Sequence, residues 1–165
     1  MATQSKAVLS FGERFWNQKG EGPGGLSLLG DFPSQNMWDS SRGQAGKSGL
    51  ATISVSGLEG AQLGASATSQ ALVDLGLIWK KLPTSAFDHS SIVHNWSQQA
   101  GLEGSQTFFE PGQMTKLNGS FDDQRRDSRI AFAGEHASST QFGTMEGALN
   151  TGRAAAARLV KALKG

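Results

Sequence analysis

The amino-acid sequence predicts an α+β fold, and three observations support that prediction. Short apolar runs rich in β-forming residues, bounded by Gly, Pro and Ser, predict several separate strands. Apolar residues that recur every three or four positions between residues 144 and 164 predict one long amphipathic helix. A strand–G-x-G-x-x-G–helix unit, which would open a Rossmann dinucleotide-binding fold, is missing from the sequence.

Five segments have the composition or pattern of strands. Residues 6–11 (KAVLSF) alternate between apolar and polar side chains, and residues 51–55 (ATISV) are rich in β-formers. The other predicted strands are residues 26–29, 92–96 and 129–133. The Gly- and Pro-rich residues 17–25 predict a loop, and the polar residues 31–49 predict an irregular segment.

Two segments have helical spacing. Residues 68–82 begin with a Thr/Ser cap, carry apolar residues at three- to four-residue intervals, and are followed by Pro83 as a predicted stop. Residues 144–164 have the longer pattern, and their basic residues lie toward the C-terminal end, where they suit the helix dipole.

The composition excludes several classes of protein. Hydrophobic residues make up 37% of the 165 and charged residues 18%, which is typical of one globular domain. Because 15 Lys and Arg balance 14 Asp and Glu, we expect no nucleic-acid partner. No apolar stretch is long enough for a membrane span, and the first residues do not resemble a signal peptide. We therefore expect a cytoplasmic protein, although export together with a partner chain stays open.

Two possible ligand sites are rejected on sequence grounds. Gly20, Gly22 and Gly25 spell G-x-G-x-x-G, but polar residues precede them and a strand-like segment follows, so a loop is predicted. The sequence has no cysteine, and its three histidines do not stand at ligand spacing with a carboxylate. No metal site is predicted.

Residues 129–156 (RIAFAGEHASSTQFGTMEGALNTGRAAA) are the most informative part of the chain. They combine a predicted strand, a Gly-Glu turn, a Ser/Thr-rich loop and the start of the long helix. Free backbone N–H groups at such a helix start attract anionic or electron-rich ligand atoms. A plain strand–helix unit with a capped helix has the same pattern, so these residues alone leave both interpretations open.

This segment resembles the C-terminal signature of the flavin-containing monoamine oxidase and L-amino-acid oxidase family. The family pattern is F-[AT]-G-E-x-[ST] followed by G-x-M-E-G-A and a helix. Upstream, Asn95-Trp96, Gly104-Ser105 and the run from Phe109 to Gly112 resemble the family's N-W, G-[SC]-Y and [FY]-x-P-G in order and spacing. The resemblance covers almost the whole chain and is weakest over residues 31–88.

The resemblance implies FAD as the cofactor and a role for each matching residue. Glu135 would bind the ribityl or ribose part of FAD, and the backbone around Met145 would approach the flavin carbonyl edge. Lys6, ten residues before Trp16 as in the family, would be catalytic by holding a water against flavin N5; an unpaired surface lysine is the alternative. The complete cofactor-binding set is Trp96, Ser105, Gly134, Glu135, Gly143, Thr144 and Met145.

Three positions depart from the family pattern. Ser105 replaces the cysteine through which some members attach flavin, so the resemblance implies non-covalent FAD. Gln106 and Thr144 stand where two aromatic side chains usually enclose the amine. With Trp96, these two residues form the predicted substrate-binding set. A polar or larger substrate, or a site completed by another chain, is expected.

The largest departure is the missing Rossmann unit. We expect residues 1–90 to form part of a substrate-binding domain, and residues 91–165 the C-terminal part of the FAD-binding domain. A second polypeptide would carry the G-x-G-x-x-G unit, with proteolytic processing as the alternative. The complex would oxidise the C–N bond of a small-molecule amine or amino acid to an imine. A desaturase, a protoporphyrinogen-oxidase-like enzyme and a non-catalytic scaffold are the alternatives.

Overall fold

The chain divides into two compact units. In the computed structural model, Thr3–Ser105 form the first unit, and Met1–Ala2 with Gln106–Gly165 form the second. The assignment of residues 1–90 and 91–165 to a substrate-binding and a flavin-binding domain stays a prediction. The structure describes residues 1–19, 22–64, 66–80, 82–121 and 130–164.

The first unit is built on a five-stranded sheet. All neighbouring strands are antiparallel, in the order β2-β3-β4-β1-β5. The three α-helices of this unit follow one another in the chain between β4 and β5, separate from the run of strands β1–β4, and the predicted α+β class is confirmed. The strands are β1 Gln4–Phe11, β2 Ser27–Leu29, β3 Asn36–Asp39, β4 Gly49–Ser56 and β5 Phe87–Asn95.

Five α-helices are described. Three belong to the first unit and two to the second. Short 3-10 turns follow β1 and β5, and a third such turn contains Glu135. The α-helices are α1 Gly57–Gln62, α2 Ala67–Trp79, α3 Leu82–Ala86, α4 Gln113–Leu117 and α5 Met145–Lys164.

The core of the first unit lies between one face of the sheet and α2. Alternation in β1 buries Ala7, Leu9 and Phe11 on that face. Residues at four-residue spacing on α2, from Ala71 through Leu75 to Trp79, are fully buried against the same core. The even-numbered residues of β1, including Lys6, are therefore left on the opposite face of the sheet.

Aromatic rings fix the end of β1 to the turn that follows it. Phe15 packs edge to face against Phe11, Trp16 and Trp79, with ring centroids 5.2, 4.9 and 5.6 Å apart. Each fully buried ring of this kind stabilises the fold by about 1.5–3 kcal/mol through removal of apolar surface from water. The family-like Phe-Trp pair is thus part of the core.

The structure corrects the prediction for residues 31–49. The expected irregular segment contains β3, which pairs with β2 on one side and β4 on the other. The strand was hidden because Asn36 and Asp39, at its ends, are poor β-formers. It is held by the pairing and by the burial of Met37.

The end of the first long helix was also predicted wrongly. The helix α2 stops at Trp79 because Lys80 adopts a positive φ of 55°, which takes the chain out of the helical path. Pro83 lies in the first turn of α3, where its missing N–H is tolerated. It therefore helps to start the next helix and does not end α2.

The predicted strand at residues 129–133 is not confirmed. Arg129 lies outside the described residues, and residues 130–133 are not part of a strand. A strand requires a neighbouring strand for its backbone ladder, and the described sheet is formed entirely by residues 4–95. The apolar side chains of Ile130 and Phe132 are 65% and 47% exposed.

The long C-terminal helix is confirmed. It begins at Met145, one residue after the predicted start, and reaches Lys164. Among the described helices, none has both the length and the apolar character required to cross a bilayer.

Candidate functional site

One carboxylate joins three separate sequence motifs in the second unit. Oε1 of Glu135 accepts hydrogen bonds from both the backbone N–H and the hydroxyl of Thr107, each at 2.8 Å. Oε2 accepts the backbone N–H of Gly143 at 2.6 Å. We call Thr107, Glu135 and Gly143 the glutamate clamp, because they tie the segment after Ser105 to the turn before α5.

The electrostatics of the clamp favour an ionised Glu135. Burial raises the pKa of the carboxyl, but the hydrogen bonds from Thr107 and Gly143 outweigh that effect. With the nearby His136, they hold the pKa of Glu135 below its ordinary value of 4.5. The clamp is therefore formed by a charged acceptor, which makes its hydrogen bonds stronger than neutral ones.

The start of α5 is capped by Thr144. Its hydroxyl accepts the backbone N–H of Gly147 at 3.0 Å and lies 2.7 Å from the carbonyl oxygen of Gln141. This is the hydrogen-bond pattern of a helix N-cap. The N–H groups of Met145 and Glu146 have no protein acceptor within the described ranges, so the helix start presents two free donors.

Two glycines make this turn possible. Gly143 has a φ of +73°, a conformation that a side chain disfavours, and a Cβ there would meet no atom within 4 Å. At Gly147 a Cβ would approach the carbonyl oxygen of Gln141 to 2.1 Å, so only glycine fits. The first glycine supplies a turn with open space beside it, and the second lets the loop pack on the helix.

The sequence interpretation missed two threonines of this site. The Thr107 hydroxyl belongs to the clamp, and the Thr151 hydroxyl lies 2.8 Å from the carbonyl oxygen of Gly134. The N–H of Gly134 also donates to Thr151, at 3.1 Å. Thr151 therefore fixes the Gly-Glu turn to the second turn of α5. Its position one helical turn beyond Gly147 was the available sequence signal.

Lys6 occupies the polar face of the sheet in the first unit. It lies across from Ser54 on β4 and His94 on β5, and its Nζ is 5.9 Å from the centre of the Trp38 ring. No hydrogen bond or ion pair to Lys6 occurs among the described residues. The ammonium is thus held beside an aromatic ring, which stabilises it by cation–π attraction.

Trp96 lies at the end of β5, in the same unit as Lys6. Its ring packs edge to face against His94, with 4.3 Å between centroids, and its side chain is 36% exposed. The Asn95 side chain accepts the N–H of Ser97 and donates to the carbonyl oxygen of Ala61 at 2.9 Å. The Asn-Trp pair of the sequence motif therefore forms a turn anchored to the end of α1.

The predicted site residues fall into two groups. Gly134, Glu135, Gly143, Thr144 and Met145 come together in the second unit around the clamp and the start of α5. Gln106 also belongs to that unit; its side chain is exposed and its carbonyl oxygen accepts the N–H of Ala2 at 2.8 Å. Lys6, Trp96 and the half-buried Ser105 belong to the first unit.

The fold of the chain matches part of two solved amine oxidases over nearly the whole length of this chain. Cyclohexylamine oxidase from Brevibacterium oxydans IH-35A matches with a TM-score of 0.81 at 20% identity, covering 100% of this chain and 36% of its own. Putrescine oxidase bound to putrescine matches with a TM-score of 0.72 at 16% identity, covering 96% and 35% respectively. The chain thus spans about a third of the length of these relatives.

The family model settles the relationship that the fold indicates. No curated protein sequence matches the chain significantly. The model of the flavin containing amine oxidoreductases, however, matches residues 1–160. The chain therefore belongs to the flavin-containing amine oxidoreductase family.

Proposed function

We propose that this chain forms part of a FAD-dependent oxidase that converts the C–N bond of an amine or amino acid to an imine. The observation that carries the proposal is the glutamate clamp, which sets Gly143 and the two free N–H donors of α5 in one turn. Membership of the family implies flavin chemistry. The clamp holds Glu135, Gly143 and the start of α5 close together, as a shared cofactor site would require.

The donors and acceptors of the second unit fit a flavin. The unpaired N–H groups of Met145 and Glu146, two exposed residues, would suit a carbonyl edge that gains negative charge on reduction. A carboxylate accepts about four hydrogen bonds, and the clamp occupies three at Glu135, so one further hydroxyl donor can be bound. Glu135 would thus bind a ribityl or ribose hydroxyl while keeping its structural role.

The start of α5, Glu135 and Lys6 would each have a separate part in the proposed reaction. When bound, FAD would supply the two-electron redox chemistry for oxidation of the substrate C–N bond to an imine, with oxygen or another acceptor as the final electron acceptor. The N–H groups at the start of α5 would orient the cofactor, and Glu135 would hold the turn that carries them. Lys6 would hold a water with its ammonium, which has no competing acceptor among the described residues.

Two exposed polar positions support a substrate other than a simple aromatic amine. Gln106 and Thr144 replace the aromatic pair expected from the family pattern. Because Thr144 also caps α5, its hydroxyl is already hydrogen-bonded at the helix start. Its methyl group would then be the part of the side chain that contacts a substrate. Of the three predicted substrate-binding residues, Trp96 is the aromatic one, and its ring would form one wall of the substrate site. FAD would be held non-covalently because Ser105 has no thiol.

A second polypeptide would complete the FAD-binding domain. The chain spans 36% of the length of cyclohexylamine oxidase, and its sequence has no strand–G-x-G-x-x-G–helix unit. We propose that the partner carries this unit and binds the ADP part of FAD. The small-molecule substrate is the other expected partner.

Anaerobic reduction of the native complex tests the proposal. The tagged chain would be isolated with its partner from its own organism and mixed with amines, amino acids and saturated substrates without nitrogen. We expect amines or amino acids alone to bleach the visible flavin absorption. A complex without flavin contradicts the proposal, and bleaching by nitrogen-free substrates would identify a desaturase instead.

A further inference from the structure

His94 lies beside Lys6 on the polar face of the sheet in the first unit. The antiparallel pairing of β1 and β5 sets Lys6 directly opposite His94, so both side chains leave the sheet on the same face. Side chains paired in this way have Cβ atoms about 4.5–5.5 Å apart. Ser54 on β4 is the neighbour of Lys6 on its other side. A histidine thus adjoins the lysine that the proposed function uses, although it is not part of the Asn-Trp motif that follows it.

The ring of His94 also contacts the ring of Trp96. The two rings are 4.3 Å apart between centroids and inclined by 71°, which is an edge-to-face arrangement. This separation is short, since aromatic pairs in proteins usually lie about 4.5–7 Å apart. Trp96 is nevertheless 36% exposed, so part of its indole remains open. His94 therefore stands between Lys6 and a tryptophan that still has surface to offer a ligand.

The Nε2 atom of His94 is buried and has no hydrogen-bond partner among the described residues. Buried polar atoms in folded proteins nearly always have a partner. The Lys6 ammonium cannot accept a hydrogen bond from Nε2, because it has donors only. The face of an aromatic ring does accept an N–H, and the indole of Trp96 is the ring in close contact.

We propose that His94 is a positioning residue of the oxidase. Its Nε2 carries the ring proton, donates it to the indole of Trp96, and fixes the plane of that indole beside Lys6. The role rests on the proposed function, in which Trp96 forms a substrate wall and Lys6 holds a water. A ring that is already fixed loses less conformational freedom when substrate binds, so affinity is higher. His94 acts on substrate affinity through Trp96, without contact to the reacting atoms.

A second histidine on the same strand provides a matched control. His89 also lies beside an aromatic ring, that of Phe87, at 5.4 Å between centroids. It differs from His94 because its side chain is exposed. Its φ is +63°, a conformation that asparagine tolerates. His89→Asn therefore removes an imidazole from β5 without touching Trp96.

Steady-state kinetics of the native oxidase test the role. With the amine or amino acid that reduces the flavin fastest, His94→Ala should raise KM about fivefold and leave kcat within about twofold. His94→Gln keeps an N–H donor and should restore most of the affinity, while His89→Asn should match the wild type. An unchanged KM in His94→Ala, or a His94→Gln variant as weak as His94→Ala, would overturn the proposal.

A double variant tests whether His94 acts through Trp96. Because both side chains would work through the same ring, adding His94→Ala to Trp96→Leu should raise KM no further than Trp96→Leu alone. Increases in KM that simply multiply would show that His94 acts by another route, and the proposal would fail.

Nuclear magnetic resonance of the native oxidase with 15N-labelled histidine examines the contact without turnover. The His94 signals are those that disappear in His94→Gln. They should show a protonated Nε2 and a ring-current shift that Trp96→Leu abolishes, while the His89 signals stay in place. An unprotonated Nε2, or His94 signals that ignore Trp96→Leu, would overturn the proposal.

Flavin content and turnover separate this proposal from the proposed function. A flavin-containing oxidase whose KM is insensitive to His94→Ala would reject the positioning role and leave the oxidase intact. A native protein without flavin or amine oxidation would reject the oxidase, and the positioning role with it, even if the resonance data showed the contact between His94 and Trp96.

Discussion

The carboxylate of Glu135 accepts the backbone N–H of Gly143 at 2.6 Å, across eight residues of chain. This hydrogen bond joins the Gly-Glu turn to the turn that starts α5. Because Gly143 immediately precedes the cap residue Thr144, Glu135 controls where the helix begins. A residue expected only to bind the cofactor is thus also a structural element of the site.

Replacement of Glu135 by glutamine should destabilise the second unit by about 1–3 kcal/mol at neutral pH. The amide retains one acceptor, but its NH2 group would face an N–H donor of the clamp. Thermal unfolding of the native complex, followed by circular dichroism, gives the difference. Glu110→Gln, at an exposed position of the same unit, is the control and should have little effect.

The pH dependence of that difference follows from the lowered pKa of Glu135. Since the folded pKa lies below the unfolded one, the carboxylate stabilises fully above the unfolded pKa. This contribution is lost as the pH falls through the folded value. The wild-type chain and Glu135→Gln should therefore converge in stability at acidic pH, below 4.5. If the stability difference between the wild type and Glu135→Gln grew on acidification, the stabilising role of the ionised Glu135 would be refuted.

Thr144→Ala should lower helix stability by about 1 kcal/mol through loss of the cap. The N–H of Gly147 would lose its side-chain acceptor. Thr144→Ser keeps the hydroxyl and should restore most of the loss, and the exposed Thr140→Ala is a neutral control. Equal unfolding midpoints for Thr144→Ala and Thr140→Ala would show that the cap contributes nothing.

Lys6→Met should slow one half-reaction of the reconstituted oxidase on the order of 10²–10³-fold, or about 3–4 kcal/mol. The substitution keeps the stem that lies beside Trp38 and removes the ammonium. Stopped-flow measurement of flavin reduction and of reoxidation identifies the affected step. Lys19→Met, at an exposed position, serves as the control. Rates within about twofold in both steps would make Lys6 a bystander.

Flavin should leave the denatured complex completely. Ser105 has a hydroxyl where a thioether bond would require a thiol, so acid precipitation should release all of the flavin into the supernatant. Flavin fluorescence that stayed with the protein band on a denaturing gel would contradict the placement of Ser105 in the family pattern.

The sequence predicted those parts of the fold that depend on local pattern. The alternation of apolar and polar residues in β1 and the helical spacing of apolar residues along the whole of α5 were clear enough to locate both elements. β3 was missed because its ends are polar and it is stabilised by pairing with β2 and β4. The sequence of a single segment does not show such pairing. The positive φ of Lys80 could not be predicted either, because lysine, unlike glycine or asparagine, is not a residue that typically adopts this conformation.

The site was predicted as a set of positions and not as a set of contacts. The motifs placed Glu135, Gly143 and Thr144 near one helix start, and the structure groups them there. Their bonds to one another were not foreseeable, because a carboxylate in a motif binds protein and ligand donors alike. Thr107 and Thr151 were missed for the same reason: their hydroxyls act through partners 28 and 17 residues away.

The amount of flavin bound by this chain, measured with and without the proposed partner, distinguishes a flavin site shared by two polypeptides from one that the chain forms alone. The isolated 165-residue chain should be colourless and poorly soluble, because apolar side chains of α5 such as Leu149, Val160 and Leu163 would be exposed to water. Co-expressed with a chain that carries the strand–G-x-G-x-x-G–helix unit, it should purify as a yellow complex. Stoichiometric flavin bound by the isolated chain would contradict the proposal that a second polypeptide completes the flavin site.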